Sequence, residues 1–155
     1  MPKDKNPPSD TAETTPKANG KPASAPAGST TGKRVLIVED EKPLAHALAL
    51  KLGHEGYAVQ IAGNGAEGLK EITAGTCDII LLDLIMPEID GFTILQEMQA
   101  KGIKTPVLVL SNLGQEEDKE RAKKLGAKDY CVKANTPIAE ILKKVKEILN
   151  VENYT

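Results

Sequence analysis

Five short apolar runs, each followed by a longer stretch of mixed polarity, leave few folds open to this chain. The runs are RVLIV (34 to 38), YAVQIA (57 to 62), DIILL (78 to 82), PVLVL (106 to 110) and KDYCV (128 to 132). The first, third and fourth are nearly continuous apolar stretches, as expected of strands covered on both faces. Between them lie helical patterns. Leu44, Leu48 and Leu52 recur on one face with Ala45 and Ala49 beside them, and Ile138, Ile141, Leu142, Val145, Ile148 and Leu149 form another. Thr136 before Pro137 predicts an N-cap with proline in the first turn of that last helix. Pro106 opens the fourth strand, where proline is tolerated. The alternation predicts an α/β (βα)5 architecture, a doubly wound parallel sheet with helices on both faces. Ligands of such sheets bind outside the carboxyl ends of the strands.

The segment ahead of the first run is of a different kind. Residues 1 to 32 hold six of the ten prolines and no Val, Ile, Leu, Phe or Tyr. It cannot bury enough apolar surface to offset its ordering entropy, so it is expected to be a disordered tail. Residues 33 to 152 are expected to fold as one domain, with no DNA-binding or enzymatic output domain after it. No basic stripe suits a phosphate backbone, and no apolar stretch is long enough to span a membrane. Nucleic acid and membrane are therefore not expected partners, and a cytoplasmic location is expected. Cys77 and Cys131 lack metal-ligand spacing and read as small buried side chains. His46 and His54 read as surface residues.

The strand ends carry the chemistry. Glu39, Asp40 and Glu41 follow the first strand, Asp83 the third, Ser111 the fourth and Lys133 the fifth. Glu41 reads as a helix N-terminal charge favoured by the dipole. Asp83 and Asp40 follow apolar runs, so their carboxylates lie at the lip of a core and need partners. Carboxylates gathered in one cleft repel unless a cation or proton joins them. With oxygen ligands alone, magnesium is the natural cation, and it commonly takes a phosphate oxygen as a further ligand.

The run Leu82-Asp83-Leu84-Ile85-Met86-Pro87-Glu88-Ile89-Asp90-Gly91 resembles the phosphoacceptor segment of response-regulator receiver domains. The likeness extends from residue 33 to about 150, and its nearest form is the stand-alone chemotaxis type. It implies a flavodoxin-like three-layer sandwich with strand order 2-1-3-4-5. It also implies a phosphorelay function, in which Asp83 accepts a phosphoryl group from a sensor histidine kinase or histidine phosphotransfer protein. The protein would be no enzyme beyond its own phosphorylation and dephosphorylation. The resemblance further implies Mg²⁺ held by Asp40, Asp83 and the backbone carbonyl of Ile85, with Glu39 reaching it through water. Lys133 would neutralise a phosphoryl oxygen, Ser111 would donate to it, and Ser111 with Tyr130 would switch the face of the fourth helix, fifth strand and fifth helix. That face would bind a separate output protein. The chain is expected to be a monomer or a weak homodimer.

Two departures from the family matter. Lys133 is followed by Ala134 where the family usually has a cis proline, and a trans bond is expected because a cis bond before alanine costs about 2.5–4 kcal/mol. Asn112 stands where the family commonly has a smaller residue and could crowd phosphoryl entry. Apolar Ile85 and Leu113 flank the acceptor and are expected to slow hydrolysis by excluding water. Two rival readings follow. One is a receiver-like interaction module that is never phosphorylated. The other is a dinucleotide-binding enzyme, from Gly63-Asn64-Gly65-Ala66-Glu67-Gly68, although this G-x-G-x-x-G follows the second strand rather than the first.

Overall fold

Strand alternation divides the core cleanly in two. The computed structural model describes residues 32–154, with side chains through 150; the expected disordered tail, Gly32 apart, lies outside the described residues. Five strands, β1 (Arg34–Val38), β2 (Ala58–Ala62), β3 (Ile79–Asp83), β4 (Val107–Ser111) and β5 (Asp129–Val132), pair in parallel in the order β2-β1-β3-β4-β5. The helices are α1 (Lys42–His54), α2 (Gly65–Ala74), α3 (Gly91–Ala100), α4 (Glu116–Lys124) and α5 (Ile138–Tyr154). Leu36, Val38, Ile80, Leu82, Val107 and Val109 point to one face, where Ile72 of α2, Leu95 and Met98 of α3 and Ala122 of α4 cover them. Val35, Ile37, Ile79, Leu81, Leu108 and Leu110 point to the other, against Leu48 and Leu52 of α1 and Ile141, Val145 and Leu149 of α5. Each fully buried aliphatic side chain contributes roughly 1.5–3 kcal/mol, so the two layers hold the sheet rigid.

The register sets the polar residues at the sheet's carboxyl edge. Asp83 lies opposite Leu110, and Ser111 lies opposite Val132. Strands β3 and β4 each run one residue further than their apolar runs, so Asp83 and Ser111 are the last residues of buried strands. The loops after them are shaped by glycine. A Cβ at Gly91 would lie 2.6 Å from the backbone oxygen of Asp83, so only glycine lets α3 start against the strand end. Asp90 caps that helix, its Oδ1 accepting from Thr93 N–H at 2.9 Å.

The six-residue glycine motif proves to be packing. A Cβ at Gly65 would collide with the backbone oxygen of Ile89, and one at Gly68 would lie 2.6 Å from Val38 Cγ1. Asn64 Oδ1 caps α2 by accepting from Glu67 N–H at 2.9 Å, while Glu67 Oε1 accepts from Gly63 N–H at 3.1 Å. These glycines let α2 press against β1 and the loop after β3.

Two local readings change. The Thr136 hydroxyl, expected to cap α5, donates instead to the Val132 carbonyl at 2.8 Å, because a 3-10 turn over Lys133–Asn135 folds it back onto β5. Cys131 is buried as expected, but Cys77 is only half-buried, since it sits in the turn before β3 rather than within the strand. Helix α4 is held largely by contacts other than apolar burial. Its apolar contribution is Ala122 and half-buried Leu125, yet the Arg121 guanidinium lies 4.0 Å from the Phe92 ring centroid and Gln99 Nε2 donates to Lys124 O at 3.4 Å. No cis peptide occurs among the described residues, so Lys133–Ala134 is trans as expected.

The loop after β3 stores strain. Glu88 has φ +70°, the one positive φ outside glycine among the described residues, and Ile89 N–H donates to Pro87 O at 2.8 Å across it. This is the rare γ-turn with positive φ, unfavourable for a residue with a Cβ. Glu88→Gly is expected to leave stability unchanged or raise it by up to about 1 kcal/mol, relief of strain outweighing added unfolded-state entropy. Glu88→Val should destabilise. Urea unfolding of the three proteins checks both.

Candidate functional site

One ammonium sits among three carboxylates at the carboxyl edge of the sheet. Lys133 Nζ lies 2.9 Å from Glu39 Oε1, 3.2 Å from Asp83 Oδ2 and 3.7 Å from Glu41 Oε2. Glu39 and Asp83 are 2% and 3% exposed, so both acids are held in a poorly solvated setting. Their remaining oxygens are met by backbone: Glu41 N–H donates to Glu39 Oε2 at 3.0 Å and Ile85 N–H to Asp83 Oδ1 at 3.2 Å. Exposed Asp40 completes a carboxylate trio with Glu39 and Asp83, whose oxygens lie within 4.8 Å of one another.

The electrostatics follow from burial. Desolvation pushes Glu39 up to about 7, with the nearby Asp83 charge adding to it and the Lys133 and Glu41 N–H contacts opposing it. Asp83 is raised too, again chiefly by burial, against the pull of Ile85 N–H and Lys133. Burial alone would depress Lys133, but its contacts with Glu39 and Asp83 outweigh burial and hold it above the usual lysine range. Three carboxylates whose oxygens converge in this way suit a divalent cation. Glu39 Oε1 in particular is buried and lacks a well-directed hydrogen bond, its nearest cation being the Lys133 ammonium. All donors are oxygens, which favours a hard ion.

Ser111 and Tyr130 lie beside this group. Ser111 Oγ accepts from Leu113 N–H at 3.2 Å, and the Tyr130 hydroxyl donates to the Leu113 carbonyl at 2.5 Å. Burial raises the Tyr130 phenol, partly opposed by a hydrogen bond with Ser111. The half-buried Tyr130 ring packs on the core layer under α3 and α4. Ile85 is 55% exposed, Leu113 is half-buried and Asn112 points to solvent.

A family model for the response regulator receiver domain matches residues 35–146. The chain belongs to that family. The receiver domain is 39% identical over 100 residues to the transcriptional regulatory protein DltR of Streptococcus agalactiae, covering 64% of this chain and 45% of that protein. It is 37% identical over 116 residues to the response regulator ArlR of Staphylococcus saprophyticus, covering 75% and 52%. The chain thus spans about half the length of the curated relatives it matches. Among solved structures it resembles the receiver domain of Francisella response regulator 1452, with TM-score 0.74 and 31% identity over 77% of this chain and 98% of that one. It also resembles the BeF3-activated receiver domain of Klebsiella pneumoniae RstA, with TM-score 0.69 and 26% identity over 75% and 97%. These relatives are response regulators rather than conventional enzymes, and the receiver domain belongs to two-component phosphorelay signalling. Among the described residues no helix is long and apolar enough to cross a membrane.

The receiver fold gathers the expected Glu39, Asp40, Asp83 and Lys133 into one cluster, and sets Ser111 and Tyr130 at its edge. Sequence reading passed over Glu41 as a helix-start charge. The signal for it lay in the spacing: Glu41 is two residues past Glu39, so a turn that brings its N–H to Glu39 leaves its side chain facing Lys133. Arg121 was also missed, because its partner Phe92 lies on another helix.

Glu39 gives the receiver domain a pH dependence of defined sign. A folded value near 7 against an ordinary 4.5 favours the native state fully below 4.5, and this contribution is lost as pH rises through 7. Asp83 acts in the same direction, whereas Lys133 titrates only in the alkaline range. In chelator, the thermal midpoint should fall by on the order of 5 °C between about pH 5 and pH 8, and Glu39→Gln should flatten that slope.

Proposed function

We propose that Asp83 accepts a phosphoryl group from a phosphohistidine on a sensor histidine kinase or histidine phosphotransfer protein, and that this switches a protein-binding face. The observation that carries the reading is the Lys133 ammonium 3.2 Å from the buried Asp83 carboxylate, at the end of a strand whose neighbours deliver Glu39, Asp40 and Ser111. In the transfer, an Asp83 carboxylate oxygen forms a bond to phosphorus as the phosphorus–nitrogen bond breaks, and the electron pair leaves on the imidazole. Such transfers ask mainly for positioning and charge neutralisation. The Ile85 N–H fixes the carboxylate, and Lys133 supplies a point charge for a phosphoryl oxygen.

Mg²⁺ fits the oxygen donors; Asp40, Asp83 and the Ile85 carbonyl would hold it, and Glu39 would reach it through water. When bound it neutralises charge on the phosphoryl oxygens. Ser111 gives up its contact with Leu113 N–H to donate to the phosphoryl group. Leu113 also accepts from Tyr130, so the move of Ser111 alters the loop that holds Tyr130 and biases α4, β5 and α5 for an output partner. Ile85 and Leu113 screen the acyl phosphate from water, and a combined Ile85→Ser, Leu113→Ser variant should lose its phosphoryl group faster than the native protein.

Intact mass after incubation with acetyl phosphate and Mg²⁺ tests the reading. The native protein should gain one phosphoryl group, and Asp83→Asn should gain none at this site. Absence of a gain in folded native protein would favour the module that is never phosphorylated, and Asn112 and Ala134 would then be the residues to revert.

A further inference from the structure

Lys133 carries one positive charge among three carboxylate neighbours. Two of these contacts are short and buried, to Glu39 at 2.9 Å and Asp83 at 3.2 Å. The third, to Glu41 at 3.7 Å, is the longest, and the Glu41 side chain is 56% exposed while that of Lys133 is only 9% exposed. Glu41 stands outside the carboxylate trio suited to a cation. Its backbone is fixed all the same, because its N–H donates to Glu39 Oε2 at 3.0 Å and its carbonyl accepts from Ala45 N–H at 3.0 Å at the start of α1. The carboxylate is therefore held beside Lys133 by a rigid main chain while its own contact remains weak.

We propose that Glu41 is a positioning residue whose carboxylate holds the open side of the Lys133 ammonium and yields that place to the phosphoryl oxygen. The inference rests on the reading of Asp83 as phosphoacceptor. The contacts of Lys133 with Glu39 and Asp83 are short and buried, so they are costlier to break than the longer, exposed one. The Glu41 contact is the one that can be exchanged, because its carboxylate returns to water. An incoming phosphoryl oxygen thus competes with Glu41 for the same ammonium. Glu41 also adds a negative charge that opposes the approach of the anion. Both effects slow phosphoryl acceptance, and both are removed by the neutral, isosteric glutamine.

The test compares initial rates of phosphorylation by acetyl phosphate at saturating Mg²⁺ for the native protein, Glu41→Gln and Glu88→Gln. Intact mass gives the rates. Glu88 is an exposed acid on the loop after β3 and serves as a control for overall charge. Glu41→Gln should react about two- to fivefold faster, the range an exposed ion pair allows. Its Mg²⁺ dissociation constant and thermal midpoint should stay at the native values, which a merely structural role would not preserve alongside a changed rate. Glu88→Gln should react at the native rate. A native or slower rate for Glu41→Gln, or an equal acceleration in Glu88→Gln, overturns the inference while leaving Asp83 as acceptor. Failure of the native protein itself to take up phosphoryl overturns the acceptor reading and this inference together, and is seen before any variant is compared.

Discussion

The contact between Lys133 and the buried pair Glu39 and Asp83 is the constraint on which the site depends. Two carboxylates at 2% and 3% exposure sit where their charge is poorly solvated. The ammonium at 2.9 and 3.2 Å, and one backbone N–H to each, hold them. Much of the rest of the fold serves this arrangement. The two aliphatic layers fix the strands that present the acids, and the parallel register places the ends of β1, β3 and β5 along one edge. Gly91 lets α3 close against Asp83 without displacing it. An incompletely compensated cluster is stable enough to fold and ready to take a cation and an anion, which is the property a phosphoryl acceptor needs.

From that cluster, two physical connections lead to α4. One runs through Ser111, Leu113 and Tyr130, whose hydroxyl and backbone contacts tie the loop after β4 to β5. The other runs from the Asp83 backbone through Gly91 to Phe92, on which Arg121 of α4 rests at 4.0 Å. Helix α4 buries little apolar surface of its own. Its position is therefore set largely by these polar and cation–π contacts, which are individually weak and can be exchanged.

Much of this was legible in the sequence because it depends on local pattern. Apolar runs gave away the strands, and polar residues closing four of the five marked the site edge; Asp83, Ser111 and Lys133 could be placed without coordinates. What could not be read required three-dimensional register or loop geometry. The G-x-G-x-x-G spacing fits a nucleotide loop as well as a packing motif, and only the approach of Ile89 and Val38 to Gly65 and Gly68 decides between them. Thr136 precedes a proline as a cap would, yet a short 3-10 turn spends its hydroxyl on Val132. The γ-turn at Glu88 leaves no trace in composition, since a glutamate there gives no hint of a positive φ. The Glu41 contact depends on the path of the chain after Glu39, and the Arg121 contact joins residues 29 positions apart, as their numbers show.

The central claim is that this cluster exists to receive a phosphoryl group on Asp83, with the Lys133 ammonium at hand to meet it. A crystal structure of the protein with Mg²⁺ and beryllofluoride tests it most directly. The expected result is beryllium bonded to an Asp83 carboxylate oxygen, Mg²⁺ on Asp40, Asp83 and the Ile85 carbonyl, and the Lys133 ammonium on a fluorine. A site that stays free of beryllofluoride at saturating Mg²⁺ would contradict the account.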